Sequence, residues 1–86
     1  MSWPRMQFFY TYILQSERNP DHHNVGFTED LAQRLKDHNE GKLPNTARFR
    51  PWQVKSAHAF REKGRALAFE AYLKSASGRA FAKKRL

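Results

Sequence analysis

The stretch His23 to Asn39, HNVGFTEDLAQRLKDHN, decides the fold. It opens as a short β-run, predicts a turn at Gly26, and continues as an amphipathic helix over about Glu29 to His38. Thr28 is the expected N-cap, with Glu29 and Asp30 in the first turn, where negative charge suits the helix dipole. Leu31 and Leu35 lie four apart and face a core. Arg34 and His38, also four apart, share a second face of the same helix. Asn39 and Gly41 are stop signals. One stripe of this helix therefore combines a permanent cation with a titratable ring.

Upstream, Phe8 to Leu14 reads FFYTYIL, aromatic and β-branched and apolar on both faces. Such a strand is central and covered on each side. Phe8, Tyr10, Tyr12 and Leu14 share one face, and Phe9, Thr11 and Ile13 the other. SERNPD, at 16–21, is a turn cluster. It is followed at hairpin spacing by a second strand over about His22 to Phe27, so these two strands should be antiparallel neighbours. His22 and His23 point to opposite faces and make a poor chelating pair.

Downstream, Glu40 to Arg50 is a basic loop, and Pro51 should sit just before a third strand. That strand spans Trp52 to about Phe60, with Trp52, Val54 and Phe60 expected on one face. A turn at Arg61 to Gly64 leads to a helix over Arg65 to Ala76, with Ala66, Phe69, Leu73 and Ala76 as its apolar stripe. Ser77 is the expected cap of a last helix, Arg79 to Leu86. The fold class is α+β: a small three-stranded antiparallel sheet flanked by helices, in the order β-β-α-β-α-α.

At 86 residues, one domain spanning 1–86 is expected. Without cysteine there is no disulfide and no thiolate metal site. No apolar run is long enough to cross a membrane, and MSWPRM lacks an apolar leader, so a cytoplasmic location is expected. Sixteen Lys and Arg against eight Asp and Glu give a net charge of +8 and a pI near 10.3. Such a balance suits a polyanion, most simply nucleic acid. A solvated basic surface is the plainer alternative. Lys42, Arg48 and Arg50 surround Phe49 in the loop and could follow a phosphate backbone, and Lys83 and Lys84 could touch phosphates from the C-terminal end.

Tyr10-Thr11-Tyr12 on the first strand, Asn24-Val25-Gly26 on the second, Arg34 and His38 on the helix, Glu70 in ALAFEAYLKS and the ending GRAFAKKRL follow in an order that resembles the GIY-YIG nuclease family, in particular its small standalone bacterial members. Tyr10-Thr11-Tyr12 stands where GIY belongs, and Asn24-Val25-Gly26 where YIG belongs. Arg34 follows Gly26 by eight residues, at the position of the family's catalytic Arg. His38 matches a frequent active-site position, and Glu70, in ALAFEAYLKS, matches the metal-binding Glu. The resemblance covers nearly the whole chain and rests on order and spacing rather than on any one tripeptide.

The resemblance implies hydrolysis of a DNA phosphodiester with Mg²⁺ or Mn²⁺, and with no small-molecule cofactor; it leaves RNA open as the alternative substrate. In it Tyr12 is the candidate base, Arg34 the clamp on the phosphorane, Glu70 the metal ligand and His38 a helper. A Tyr base needs positive charge nearby to pull its pKa below the usual ~10. A single carboxylate completed by waters and phosphate oxygens suits Mg²⁺. Asn24 replaces the YIG tyrosine and cannot ionise, which implies either a weakened nuclease or a nucleic-acid-binding module without turnover. So short a chain has little surface for reading bases, so specificity calls for a homodimer or a partner. The plainer roles are a surface strand Tyr for Tyr12, a solvated helix Arg for Arg34, and an i,i+4 pair with Lys74 for Glu70.

Overall fold

The computed structural model describes residues 7–86; the MSWPRM segment lies outside them. Three strands form one antiparallel sheet in the order β2-β1-β3, with β1 Phe9–Ser16, β2 His23–Thr28 and β3 Trp52–Phe60. The helices are α1 Leu31–Asn39, the single turn α2 Pro44–Ala47 inside the basic loop, α3 Lys63–Lys74 and α4 Ala76–Arg85. The α+β class and the strand order are as expected, with α2 as an addition. No described helix is long and apolar enough to cross a membrane.

The central position of β1 follows from its composition. Thr11 to Leu14 are all buried, so both faces of the strand must be covered, and a strand with helices on each side meets that need. On one face Tyr12, Leu14 and Trp52 form a core against which Leu31, Leu35 and Phe49 pack. On the other, Ile13 lies under α3, whose Ala66 and Leu73 are buried. The Thr11 hydroxyl donates to the Ala66 carbonyl at 2.6 Å and pins that helix to the sheet.

Several local expectations are corrected. Gly26 is no turn residue: it lies within β2, directly opposite Tyr12. The strand runs on to Thr28, so α1 begins later and its N-cap is Asp30, whose carboxylate accepts from the Gln33 N–H at 3.0 Å. Thr28 instead accepts from the Asp30 N–H and tightens the strand-to-helix corner. No acidic residue lies in the first turn of α1. At the other end, Gly41 takes φ 77°, the Lys42 N–H reaches the Asp37 carbonyl and the Gly41 N–H that of His38. This is the Schellman arrangement that stops a helix.

The expected grouping of Trp52, Val54 and Phe60 also fails, because β3 carries a bulge. Val54 pairs with Leu14 and Ser56 with Ile13, leaving Lys55 as an extra residue. The extra residue reverses the alternation. Trp52 and Val54 stay on the Tyr12 face, whereas Phe60, opposite Phe9, lies on the Ile13 face. There it packs on Phe69 with ring centroids 5.8 Å apart.

Helix α3 ends at Lys74, so Ala76 belongs to α4 rather than to its apolar stripe. The cap of α4 is Ser75, not Ser77; its hydroxyl accepts from the Gly78 N–H at 3.0 Å. Gly78 is buried against the Tyr72 backbone, which leaves no room for a side chain at this corner.

Candidate active site

Tyr12 stands at the middle of the central strand and is 2 % exposed. Its ring lies across Gly26, so a β-carbon there would collide with the phenol oxygen. The glycine of the second tripeptide is thus required by the tyrosine of the first, not by a backbone turn. The Tyr12 hydroxyl meets His38 Nε2 at 3.2 Å, and His38 Nδ1 meets Thr46 Oγ1 at 2.8 Å.

The remaining contacts assign the protons. Thr46 Oγ1 lies 3.3 Å from the Leu43 carbonyl, to which it can only donate. It therefore accepts from His38 Nδ1–H, which leaves Nε2 as the acceptor for the phenol. Tyr12, His38 and Thr46 form a directed chain running from the sheet into the basic loop.

The loop is anchored around that chain. The Trp52 indole donates to the Thr46 carbonyl at 2.9 Å, and the Ser16 hydroxyl donates to the Phe49 carbonyl at 2.7 Å. Asn39, beyond its part in stopping α1, pairs both ways with the Trp52 backbone. Thr46 carries no sequence signal; its role appears only once α2 folds back beneath α1.

Arg34 is half-buried, and its guanidinium is within 4 Å of no carboxylate among the described residues. Asp37 instead takes Gln33 and Lys42. Arg34 acts on the neighbouring titratable groups. His38 is held below the usual imidazole range, first by burial and then by Arg34, with Asp37 opposing. Tyr12 is pushed above the usual phenol range by burial, with Arg34 pulling it down and Glu70 pushing it up. At neutral pH this is a neutral phenol facing a neutral imidazole.

Glu70 is thus near enough for its charge to reach the phenol, although α3 covers the opposite side of the sheet. Its carboxylate pairs with Lys74 at 3.2 Å. The donor set around Tyr12, one partly exposed carboxylate without thiolate or a His pair, fits a hard divalent cation completed by water and phosphate oxygens. No group of three or more His, Asp or Glu could form a full protein cage among the described residues. Asn24 sits opposite Leu14 on β2, two residues before Gly26 and on the Tyr12 side by alternation. Tyr10 is half-buried on that side, opposite Thr28 and Ala59; Thr11 and Val25 face the other way, Thr11 holding α3.

The basic residues divide. Lys42 is neutralised by Asp37 and Glu40, at 3.4 and 3.3 Å. Arg48 lies over the Phe49 ring, 5.0 Å from its centroid, and Arg50 packs over Gly41. One face of Phe49 is stacked on His22, centroids 3.9 Å apart. Lys83 lies on the far side of the sheet, where α4 meets Leu73, and Lys84 is exposed beside it.

No curated protein matches the chain. The family model of the GIY-YIG catalytic domain matches residues 8–85, from Phe8, just before β1, to the last basic residue of α4. With that match spanning nearly the full length, the chain belongs to the GIY-YIG catalytic domain family.

Proposed function

We propose that this protein is a metal-dependent endonuclease that hydrolyses DNA phosphodiester bonds. The observation that carries the reading is the Tyr12–His38 hydrogen bond beside an unpaired Arg34. In the proposed reaction a water gives its proton to the Tyr12 oxygen as the phenol proton passes to His38 Nε2. The relay suits a phenol too weakly acidic to ionise alone: Tyr12 need never become a free phenolate, because a neutral imidazole receives its proton within the same step. Thr46 holds His38 in the accepting tautomer. Arg34, free of carboxylates, faces the negative charge that builds on the phosphorus oxygens.

Glu70 would hold the divalent cation, Mg²⁺ or Mn²⁺, which supplies Lewis-acid stabilisation of the leaving oxygen. In the resting protein Lys74 sits on that carboxylate. Burial is the main cause that raises the Tyr12 phenol, and neutralising Glu70 removes the smaller contribution that adds to it. Arg48, Arg50 and Lys84 add sequence-independent attraction for phosphates. A homodimer, a cytoplasmic location and a single-domain organisation over 1–86 belong to the same proposal.

Asn24 favours a second reading. It supplies no phenol where the family's second tyrosine stands, and it can only hydrogen-bond a phosphate or water. In that reading the protein binds nucleic acid on the same face without turnover.

Nicking of supercoiled plasmid separates the two readings. Wild type and Glu70→Ala are compared with Mg²⁺ or Mn²⁺ and with EDTA. Metal-dependent nicking that disappears in the variant supports the endonuclease. DNA binding without nicking by wild type supports the binding module.

A further inference from the structure

A cleft of about 570 Å³ opens on the side of the sheet opposite the Tyr12 ring, where β1 and β2 meet α3 and α4. Its floor is apolar, formed by Ile13, Val25, Leu73 and Ala82. Its rim carries Lys55, Lys74, Arg79 and Lys83, with Asp21 as the one acid. Among the described residues, Lys55, Arg79 and Lys83 have no carboxylate within 4 Å. Arg79 is fixed in place, because its guanidinium donates to the Lys74 carbonyl at 2.8 Å.

Lys55 reaches this cleft because it is the extra residue of the β3 bulge. Its Nζ lies 3.4 Å from His23 Nε2, across β1 from its own strand. Bulges re-aim side chains in this way. Burial, and then the Lys55 ammonium, hold His23 below the usual imidazole range, so Lys55 carries the charge of this contact with no acid within salt-bridge distance to balance it. Lys74 is shared between the cleft rim and the Glu70 carboxylate, so the cleft adjoins the candidate metal ligand.

We propose that this cleft holds the sugar–phosphate backbone of one nucleic-acid strand, running from the catalytic face past Glu70 and Lys74 onto Lys55, Arg79 and Lys83. The assignment rests on the nucleic-acid reading above but not on turnover. A volume of about 570 Å³ is too small to take in a duplex, whereas a positively charged groove with an apolar floor suits a single strand.

The test is binding of a fluorescent single-stranded DNA oligonucleotide in EDTA, where no cleavage occurs. Wild type is compared with the double variant Lys55→Gln/Arg79→Gln, and thermal melting confirms that the variant folds. The expected result is at least tenfold weaker binding, with the slope of log K against log salt reduced by about 1.4, or about 0.7 per lost phosphate contact. DNA should also shield Lys55 and Lys83 of wild type from amine acylation, a readout that needs no substitution.

Unchanged affinity and slope, absent shielding, or no DNA binding by wild type would each overturn the proposal. Loss of inorganic tripolyphosphate binding with DNA binding intact would assign the cleft to a small polyanion and overturn it too. Plasmid nicking is scored separately. A protein that never nicks yet shows the expected binding loss sinks the endonuclease and keeps the cleft. One that nicks with metal while the variant binds normally does the reverse.

Discussion

The Tyr12 phenol donates to His38 Nε2 over 3.2 Å, tying the centre of the sheet to the last turn of α1. A general acid–base contribution of about 10²- to 10⁴-fold is expected to ride on this contact. Tyr12→Phe should therefore lower nicking by that factor. Its fold should survive within about 1 kcal/mol, the net worth of one hydrogen bond. Single-turnover cleavage and urea unfolding measure the two quantities; near-normal cleavage would remove the phenol from the reaction.

Gly26→Ala probes the same contact from the opposite strand. Its β-carbon would meet the Tyr12 phenol and push it away from His38. A displacement of about 1 Å can cost about 100-fold in rate, and overpacking about 1–3 kcal/mol. Loss of activity larger than the loss of stability explains is the expected pattern.

Thr46→Val keeps the shape and deletes the acceptor for His38 Nδ1–H. The stranded buried N–H should cost about 1–3 kcal/mol, and His38 should lose its fixed tautomer. Thr46→Ser should restore both stability and the pH–rate profile. Recovery by Ser of stability alone would make Thr46 structural only.

Glu70→Ala should abolish metal-dependent cleavage and leave the fold intact, since its pair with the exposed Lys74 contributes at most about 1 kcal/mol. Lys74→Met should lower the Mn²⁺ concentration for half-saturation about twofold in the absence of DNA, matching an i,i+4 pair of about 0.3–0.5 kcal/mol. Calorimetric titration with Mn²⁺ measures both. Equal Mn²⁺ binding by Glu70→Ala and wild type would move the metal elsewhere.

Acid should destabilise the protein. Burial holds His38 and His58 below their unfolded pKa, with Arg34 adding to the effect at His38. Below about pH 6.5 the unfolded chain takes up protons that the folded chain refuses. Stability present above that pH is thus lost as pH falls toward the folded-state values. The urea midpoint should drop between pH 7.5 and 5.5, and drop less in His58→Leu. A flat midpoint would contradict the buried neutral state of both rings.

The sequence makes the strand order legible through β1, whose two apolar faces demand a central position. It makes the site legible through spacing: Arg34 and His38 lie one helical turn apart, and Gly26 lies a fixed distance downstream of Tyr12. Thr46 stayed hidden because its contact depends on the path of a loop, and no periodicity encodes that path. The faces of β3 were misassigned because alternation assumes an unbroken pleat, which the extra Lys55 breaks. The reason for Gly26 was misassigned because a glycine near a helix start reads as a corner. Only the register reveals a ring lying over it.

The bulge at Lys55 also divides β3 into two halves with separate allegiances. Trp52 and Val54 serve the side where Tyr12 and His38 meet, while Ser56, His58 and Phe60 serve the side under α3. Ironing out the bulge, with Lys55 taken into the pleat, would hardly change the length of the strand. It would exchange the inner and outer residues of everything downstream of it, sending Phe60 to the Tyr12 side and Ala59 beneath Phe69. The length of β3 and its bulge are therefore tied together: the nine residues from Trp52 to Phe60 keep their faces only while one of them stays out of the pairing.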